Sequence, residues 1–228
     1  MPEDLNVEMA RKLSEHEQEE RQKRRWEETV EIFEAIVLAL VAIATAWSGY
    51  QAAKWDGQQA FEYATSSRLH VEAGVAAVEG GQQRLLDVST FNTWIQAKTE
   101  GNDELAALYV RRFSPAYHAA FDAWLALDPF NDPTAPPGPS FMPEYHNPQL
   151  AEADRLNAEA SDAFERGTHD REVAEQYVRE TVLFATVLFL IALSQRFKLR
   201  NVRIAVLVVA GLLVVVGLGG IIAYPKLF

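Results

Sequence analysis

The chain has 228 residues, 23% of them charged and 49% hydrophobic, with a formal net charge of −11 and no cysteine. Such an acidic chain lacks the cation density that replaces phosphate counterions, which argues against nucleic acid as a partner; zero cysteines exclude disulfides and thiolate metal sites. A mean hydropathy of −0.11 would suit a soluble protein, but that average mixes two chemistries that separate along the chain.

Residues 1–30 are predicted to form a charged cytoplasmic helix. Glu17 with Arg21, Glu19 with Lys23 and Glu20 with Arg24 stand four apart, acid first, the favourable order for helix ion pairs. A solvated stalk satisfies this pattern; a docking arm for a cytoplasmic partner or anionic lipid is the sharper reading.

Residues 31–55 are predicted to be transmembrane helix 1. Ala35 to Ala53 is uncharged for 19 residues, which makes about 28 Å of helix. Trp47, Tyr50 and Trp55 stand at its far end, where amphipathic rings prefer the headgroup level. The run is too long, and its charged lead too extended, for a cleaved signal peptide. Two stripes mark this helix. Ala35, Ala39, Ala42, Ala46, Gly49 and Ala53 repeat at heptad spacing, and Ala60, Ala64 and Ser67 continue the repeat. Small residues let helices approach closely in lipid, so the stripe is either a seam against the chain's other spans or a homo-oligomeric seam. Beside it run Glu34, Leu38, Val41, Thr45 and Ser48. An ionisable group at membrane depth is a functional candidate. In an oligomer Glu34, Thr45 and Ser48 would line a narrow path selecting cations; otherwise Glu34 pairs with Arg200 or Arg203, and the two hydroxyls bond their own helix carbonyls.

Residues 56–176 are expected to form an acidic periplasmic domain, an antiparallel helical bundle continuous with the spans. Gln58 to Lys98 has helical spacing, with Gly80-Gly81 as a kink or split. Glu104 to Phe113 is a short helix. Ser114 caps a third, Ala116 to Leu127, with Pro115 at its first position. Residues 128–148 hold seven of the ten prolines, which suit neither helix nor sheet ladder. A helix then runs from Gln149 toward Tyr177, with Gly167 as a break. Tyr117, Phe121 and Trp124 share one face and suggest either a core or a pocket inside the bundle. No period-2 alternation with turn signals points to strands.

Residues 177–195 are transmembrane helix 2 and 204–224 transmembrane helix 3; the latter is uncharged throughout and matches the roughly 30 Å hydrocarbon core. Between them, 196–203 forms a loop with four cations and no acid. Cations flank spans on the cytoplasmic side. Arg21, Lys23, Arg24 and Arg25 before span 1 therefore agree with this loop: N-terminus inside, residues 56–176 outside, the basic loop inside and the 225–228 tail outside.

The five histidines, at 16, 70, 118, 146 and 169, make no metal-ligand spacing. Nucleophile elbow, phosphate loop and HExxH are all absent from the sequence. These readings predict a protein that is not an enzyme and carries no cofactor and no metal.

Three stretches carry a resemblance: Ala44 to Gly57, Ala123-Trp-Leu-Ala-Leu-Asp-Pro129 with Phe141-Met-Pro-Glu-Tyr145, and Tyr177 to Leu193. The chain resembles a group of uncharacterised bacterial three-span membrane proteins with no assigned activity, from about residue 30 onward. The resemblance implies an inner-membrane location and a shared helical fold, and carries over no catalytic residue. The leading expectation is an all-α, homo-oligomeric inner-membrane protein with a structural, scaffolding or signal-relaying role. The alternatives are an oligomeric channel lined by span 1 and a periplasmic ligand sensor.

Overall fold

A computed structural model describes residues 2–197 and 199–228, and side chains from residue 18 onward except those of residues 19, 22, 23 and 27. The expected pairs Glu17–Arg21 and Glu19–Lys23, and Lys198 of the basic segment, lie outside the described side chains. Five α-helices follow in order: α1 (Pro2–Thr99), α2 (Asp103–Val110), α3 (Pro115–Leu125), α4 (Pro148–Ser194) and α5 (Arg200–Ala223), with a 3-10 turn at Pro139–Phe141. Strand is absent among the described residues. Helices α1, α4 and α5 are each long and apolar enough to cross a membrane.

The local signals explain most boundaries. Asn102 caps α2, its side chain accepting from Leu105 N at 3.1 Å, and Gly101 turns the chain before it at φ +74, a region where glycine carries no steric penalty. Ser114 caps α3, accepting from Tyr117 N at 3.2 Å. Two expected interruptions do not occur. Gly80-Gly81 lies inside α1 and Gly167 inside α4. Both are contact points instead: a Cβ at Gly80 would stand 2.8 Å from Leu150 Cγ, and one at Gly167 2.6 Å from Tyr63 Cδ1. Each glycine lets a neighbour seat against the helix, and that packing outweighs glycine's weak helix propensity. The basic segment is shorter as a loop than expected, because Arg200 and Arg203 already belong to the first turn of α5.

The chain forms two compact units. The first comprises residues 1–59 and 169–228. Its core joins Val41 of α1, Phe184, Val187 and Ile191 of α4 and Ala210 of α5. A second cluster holds Ala52, Trp55, Val173, Ala174 and Tyr177, with Tyr224 and Leu227 against it. Helices α4 and α5 meet closely at Gly217, where a Cβ would lie 2.7 Å from the Phe184 ring. Outside this core Ile43, Phe189, Leu212, Val215 and Ile222 are exposed. Large aliphatic and aromatic side chains cover the outer surface while charged and amide groups are turned inward, an arrangement whose natural solvent is lipid.

The second unit comprises residues 60–168. Phe91, Trp94 and Ala97 of α1 pack with Phe113 and with Tyr117, Phe121 and Trp124 of α3. The rings meet largely edge to face, as between Trp94 and Phe121 at 4.8 Å and 87°, the geometry that aromatic quadrupoles favour. The Pro-rich segment is tied down by Trp124 Nε1, which donates to Pro136 O at 2.7 Å. A smaller cluster, Leu69, Ala73, Leu156 and Ala160, joins α1 to α4.

Candidate functional site

In the first unit, the polar stripe of α1 faces the other helices of its own chain. Glu34 is 1% exposed. Its Oε1 accepts from Arg203 Nε at 3.0 Å and Nη2 at 2.8 Å, and its Oε2 accepts from Gln195 Nε2 at 3.5 Å. Of the two expected partners, Arg203 makes the ion pair. Arg200 instead lays its guanidinium over the Trp26 ring, 4.3 Å from the centroid. Two cations in the first turn of a helix oppose its dipole; Glu34 neutralises one of them from the neighbouring helix. Thr45 bonds its own helix, donating to Val41 O at 2.7 Å, as expected. Ser48 differs: it is buried and its Oγ has no hydrogen-bond partner among the described residues. Within the chain, Glu34 and Ser48 are buried and Thr45 is half-buried. Ser48 is sealed inside the unit, and Glu34 is already paired.

The small-residue stripe takes the opposite position. Ala35, Ala39, Ala42, Ala46 and Ala53 are exposed and Gly49 half-buried, so the stripe is not the seam that holds the chain's own three helices together. That seam runs through Glu34, Val41, Ala44, Ser48, Gln51, Ala52 and Trp55, all buried. In the second unit Ala60, Ala64, Ser67, Val71, Gly74, Val78 and Leu85 are exposed as well and Gly81 is half-buried. Ala60, Ser67 and Gly74 keep the register of the stripe, while Ala64, Val71, Val78 and Leu85 start a four-three spacing shifted from it by one residue.

At the other end of the three-helix unit, polar groups pin the tail. The buried Gln51 carboxamide donates to Leu227 O at 3.2 Å and accepts from Leu227 N at 3.0 Å. Tyr177 donates to Pro225 O at 3.0 Å and Tyr224 to Glu180 Oε1 at 3.1 Å. Nothing in the sequence pattern distinguished Gln51 from its neighbours; its position on the buried face, seven residues before Gln58 and ten after Val41, was the available signal.

The expected pocket residues Tyr117, Phe121 and Trp124 are 0%, 2% and 4% exposed and fill the aromatic core. Burial pushes the Tyr117 phenol up to about 12, against a smaller lowering by the Ser140 hydroxyl. The open space of this unit lies elsewhere. A cleft of about 550 Å³ is bounded by Glu79, Gln83 and Asp87 of α1, by Ser114 to Ala116 at the start of α3, and by Tyr145 to Gln149 at the start of α4. That volume falls within the roughly 300–1,000 Å³ of small-molecule sites.

Asp87 organises this cleft. It is 3% exposed, and only uncharged groups bond it: Gln83 Nε2 at 3.0 Å to Oδ1, and Ser114 Oγ at 3.1 Å and the Tyr145 hydroxyl at 3.2 Å to Oδ2. No lysine, arginine or histidine among the described residues forms an ion pair with it. Burial raises the Tyr145 phenol, and the Asp87 charge adds to that. The Ser114 hydroxyl is used twice, donating to Asp87 and accepting from Tyr117 N, so it is a structural hinge between α1 and α3. Asn147 fixes the third wall: it donates to Gly80 O at 2.9 Å while its Oδ1 caps α4, accepting from Gln149 N and Leu150 N. The cleft therefore offers a buried anionic base with hydrogen-bonding walls, suited to a ligand carrying a protonated amine. Sequence reading passed over Asp87 as one acid among many. Its register was the missed signal, since it falls on the buried face of α1 with Phe91 and Trp94. Among the described residues no group of three metal-ligating side chains occurs.

No family model, no curated protein and no solved structure matches this chain.

Proposed function

We propose that this chain is a homo-oligomeric protein of the bacterial inner membrane, acting as a scaffold or signal relay and using α1 as the helix that joins its copies. Its N-terminus and the Arg196–Arg203 segment face the cytoplasm and residues 56–176 face the periplasm. The three apolar helices and the two agreeing basic clusters support this layout. One observation carries the self-association. In each unit a four-three stripe along α1 is left largely uncovered by the chain itself, with Gly49 and Gly81 half-buried, and in the second unit it includes Val71, Val78 and Leu85 at 65%, 60% and 71% exposure. Those three stand outside the apolar spans, where water would be their alternative. A heptad repeat of uncovered apolar and small positions is satisfied by another helix with the same repeat, and a second copy supplies one in matching register.

The natural chain has no cysteine, so single-cysteine cross-linking reads the seam directly. Ala42→Cys, Ala46→Cys, Val71→Cys and Val78→Cys are expected to form disulfide-linked dimers in native membranes, whereas Ile43→Cys and Phe61→Cys, exposed but off the repeat, are expected to lag well behind. Equal yields at all six positions would refute the seam.

A second reading is favoured by the Asp87 cleft. A periplasmic ligand carrying a protonated amine would bind there, and because α1 and α4 supply both cleft walls and spans, a change in their spacing would be relayed. A thermal-shift series with putrescine and butylamine on the purified protein tests this. Stabilisation that disappears in Asp87→Asn supports a sensor; no shift by either amine removes amine sensing.

A further inference from the structure

The first unit carries a second cavity, of about 230 Å³, between α1 and α5, with Ile191 of α4 adding to its lining. Phe33, Val37, Leu207, Ala210 and Val214 make its walls, and Glu34, already held by Arg203, is its one ionisable group. It is smaller than the roughly 300–1,000 Å³ of ordinary small-molecule pockets and apolar, which fits a single hydrocarbon segment. Gly211 forms part of the wall, and a Cβ there would meet nothing within 4 Å.

Arg200 stands above this groove on α5. Its stacking on Trp26 orients the guanidinium, and none of its N–H groups is bonded within the described protein. A guanidinium placed over an aromatic ring still has its N–H donors available in the fork geometry that suits phosphate. Tryptophan favours the headgroup level of a bilayer. From Arg200 to Gly211 is eleven residues, about 16 Å along the helix, close to half of the roughly 30 Å hydrocarbon thickness. Phosphate at Arg200 and an acyl chain reaching Gly211 are therefore compatible with one lipid of one leaflet. Arg196 and Arg24, both exposed, add positive charge to the same basic segments.

We propose that the α1–α5 groove is a binding site for an anionic phospholipid of the leaflet facing the basic segment, with its phosphate on Arg200 and Trp26 and one acyl chain in the groove beside Gly211. The site belongs to a single chain and does not depend on self-association. Native mass spectrometry of the purified full-length protein in detergent, titrated with dioleoyl phosphatidylglycerol or dioleoyl phosphatidylcholine, tests it. The unaltered protein is expected to retain phosphatidylglycerol about fivefold better, the effect of about one cation at an anionic surface. Arg200→Gln is expected to abolish that preference, and Gly211→Leu to reduce retention of both lipids by filling the groove, with Gly211→Ala as a milder version that leaves the fold untouched. Glycerol 3-phosphate, the headgroup without chains, is expected not to compete. Equal retention of the two lipids by the unaltered protein would overturn the proposal. So would unchanged retention in Arg200→Gln and both Gly211 variants, or full competition by glycerol 3-phosphate, which would reveal a simple anion site.

Discussion

The Glu34–Arg203 pair joins α1 to α5 with two hydrogen bonds onto one carboxylate oxygen, at 3.0 and 2.8 Å. With Glu34 at 1% and Arg203 side-chain exposure at 16%, neither charge can fall back on water when its partner is removed. Glu34→Gln leaves a cation in the first turn of α5, facing a helix dipole that repels it; Arg203→Gln leaves a buried anion with only the long 3.5 Å contact to Gln195. Breaking a buried pair from one side costs about 3–5 kcal/mol, whereas removing both partners is often close to neutral. Each single variant is therefore expected to lose about 3 kcal/mol. Glu34→Gln with Arg203→Gln is expected to lose no more than either alone, giving a coupling of about 3 kcal/mol or more in a double-mutant cycle. Arg203→Lys keeps the charge but not the two-point geometry and should fall between. The assay is unfolding in mixed micelles titrated with sodium dodecyl sulfate, followed by helicity. Additive losses, or single variants within about 0.5 kcal/mol of the parent, would show that the pair is not what closes this end of the three-helix unit.

Two further outcomes follow from packing and burial. Gly217→Ala would place a Cβ 2.7 Å from Phe184 and 2.9 Å from Leu183, an overpacking that should cost about 1–3 kcal/mol in the same unfolding assay; Gly211→Ala, with open space around it, is expected to be neutral or slightly stabilising, and equal effects at the two positions would contradict the close α4–α5 approach. The Tyr117 phenol, raised from 10.0 to about 12 by burial, binds its proton more tightly folded than unfolded. Stability is thus fully present below pH 10 and declines as pH rises from 10 to 12, by up to about 3 kcal/mol. Tyr117→Phe should lose that part of the decline, with Tyr145 supplying the remainder; an unchanged alkaline slope in denaturant titrations followed by tryptophan fluorescence would argue against a sealed core.

The apolar spans were legible because a bilayer requires about 20 uncharged residues in a row, and α5 meets that condition by itself. The caps at Asn102 and Ser114 and the irregular Pro-rich stretch followed from local chemistry. What failed was the reading of glycine. Gly80 and Gly167 looked like breaks because their propensity is local, but Leu150 and Tyr63 fill the space a side chain would have occupied, and those contacts join residues far apart in sequence. The same distance hid the cleft: Asp87 meets Ser114 and Tyr145 across 27 and 58 positions, and no spacing rule relates them. Tyr117, Phe121 and Trp124 were recognisable as one helical face, yet whether such a face encloses a cavity or fills one depends on what packs against it, here Phe91 and Trp94. On α1 the small stripe was visible as a repeat, while the choice between an inward and an outward seam needed the positions of α4 and α5.

The mass of the assembled particle tests self-association through α1 most directly. Light scattering of the purified protein, corrected for detergent, should give a multiple of the 25.5 kDa chain, and Ala42→Leu with Ala46→Leu, which puts branched side chains where close approach is needed, should shift the population toward one chain per particle while leaving helicity unchanged. A parent protein that is already monomeric, or a double variant whose mass does not change, would contradict the seam.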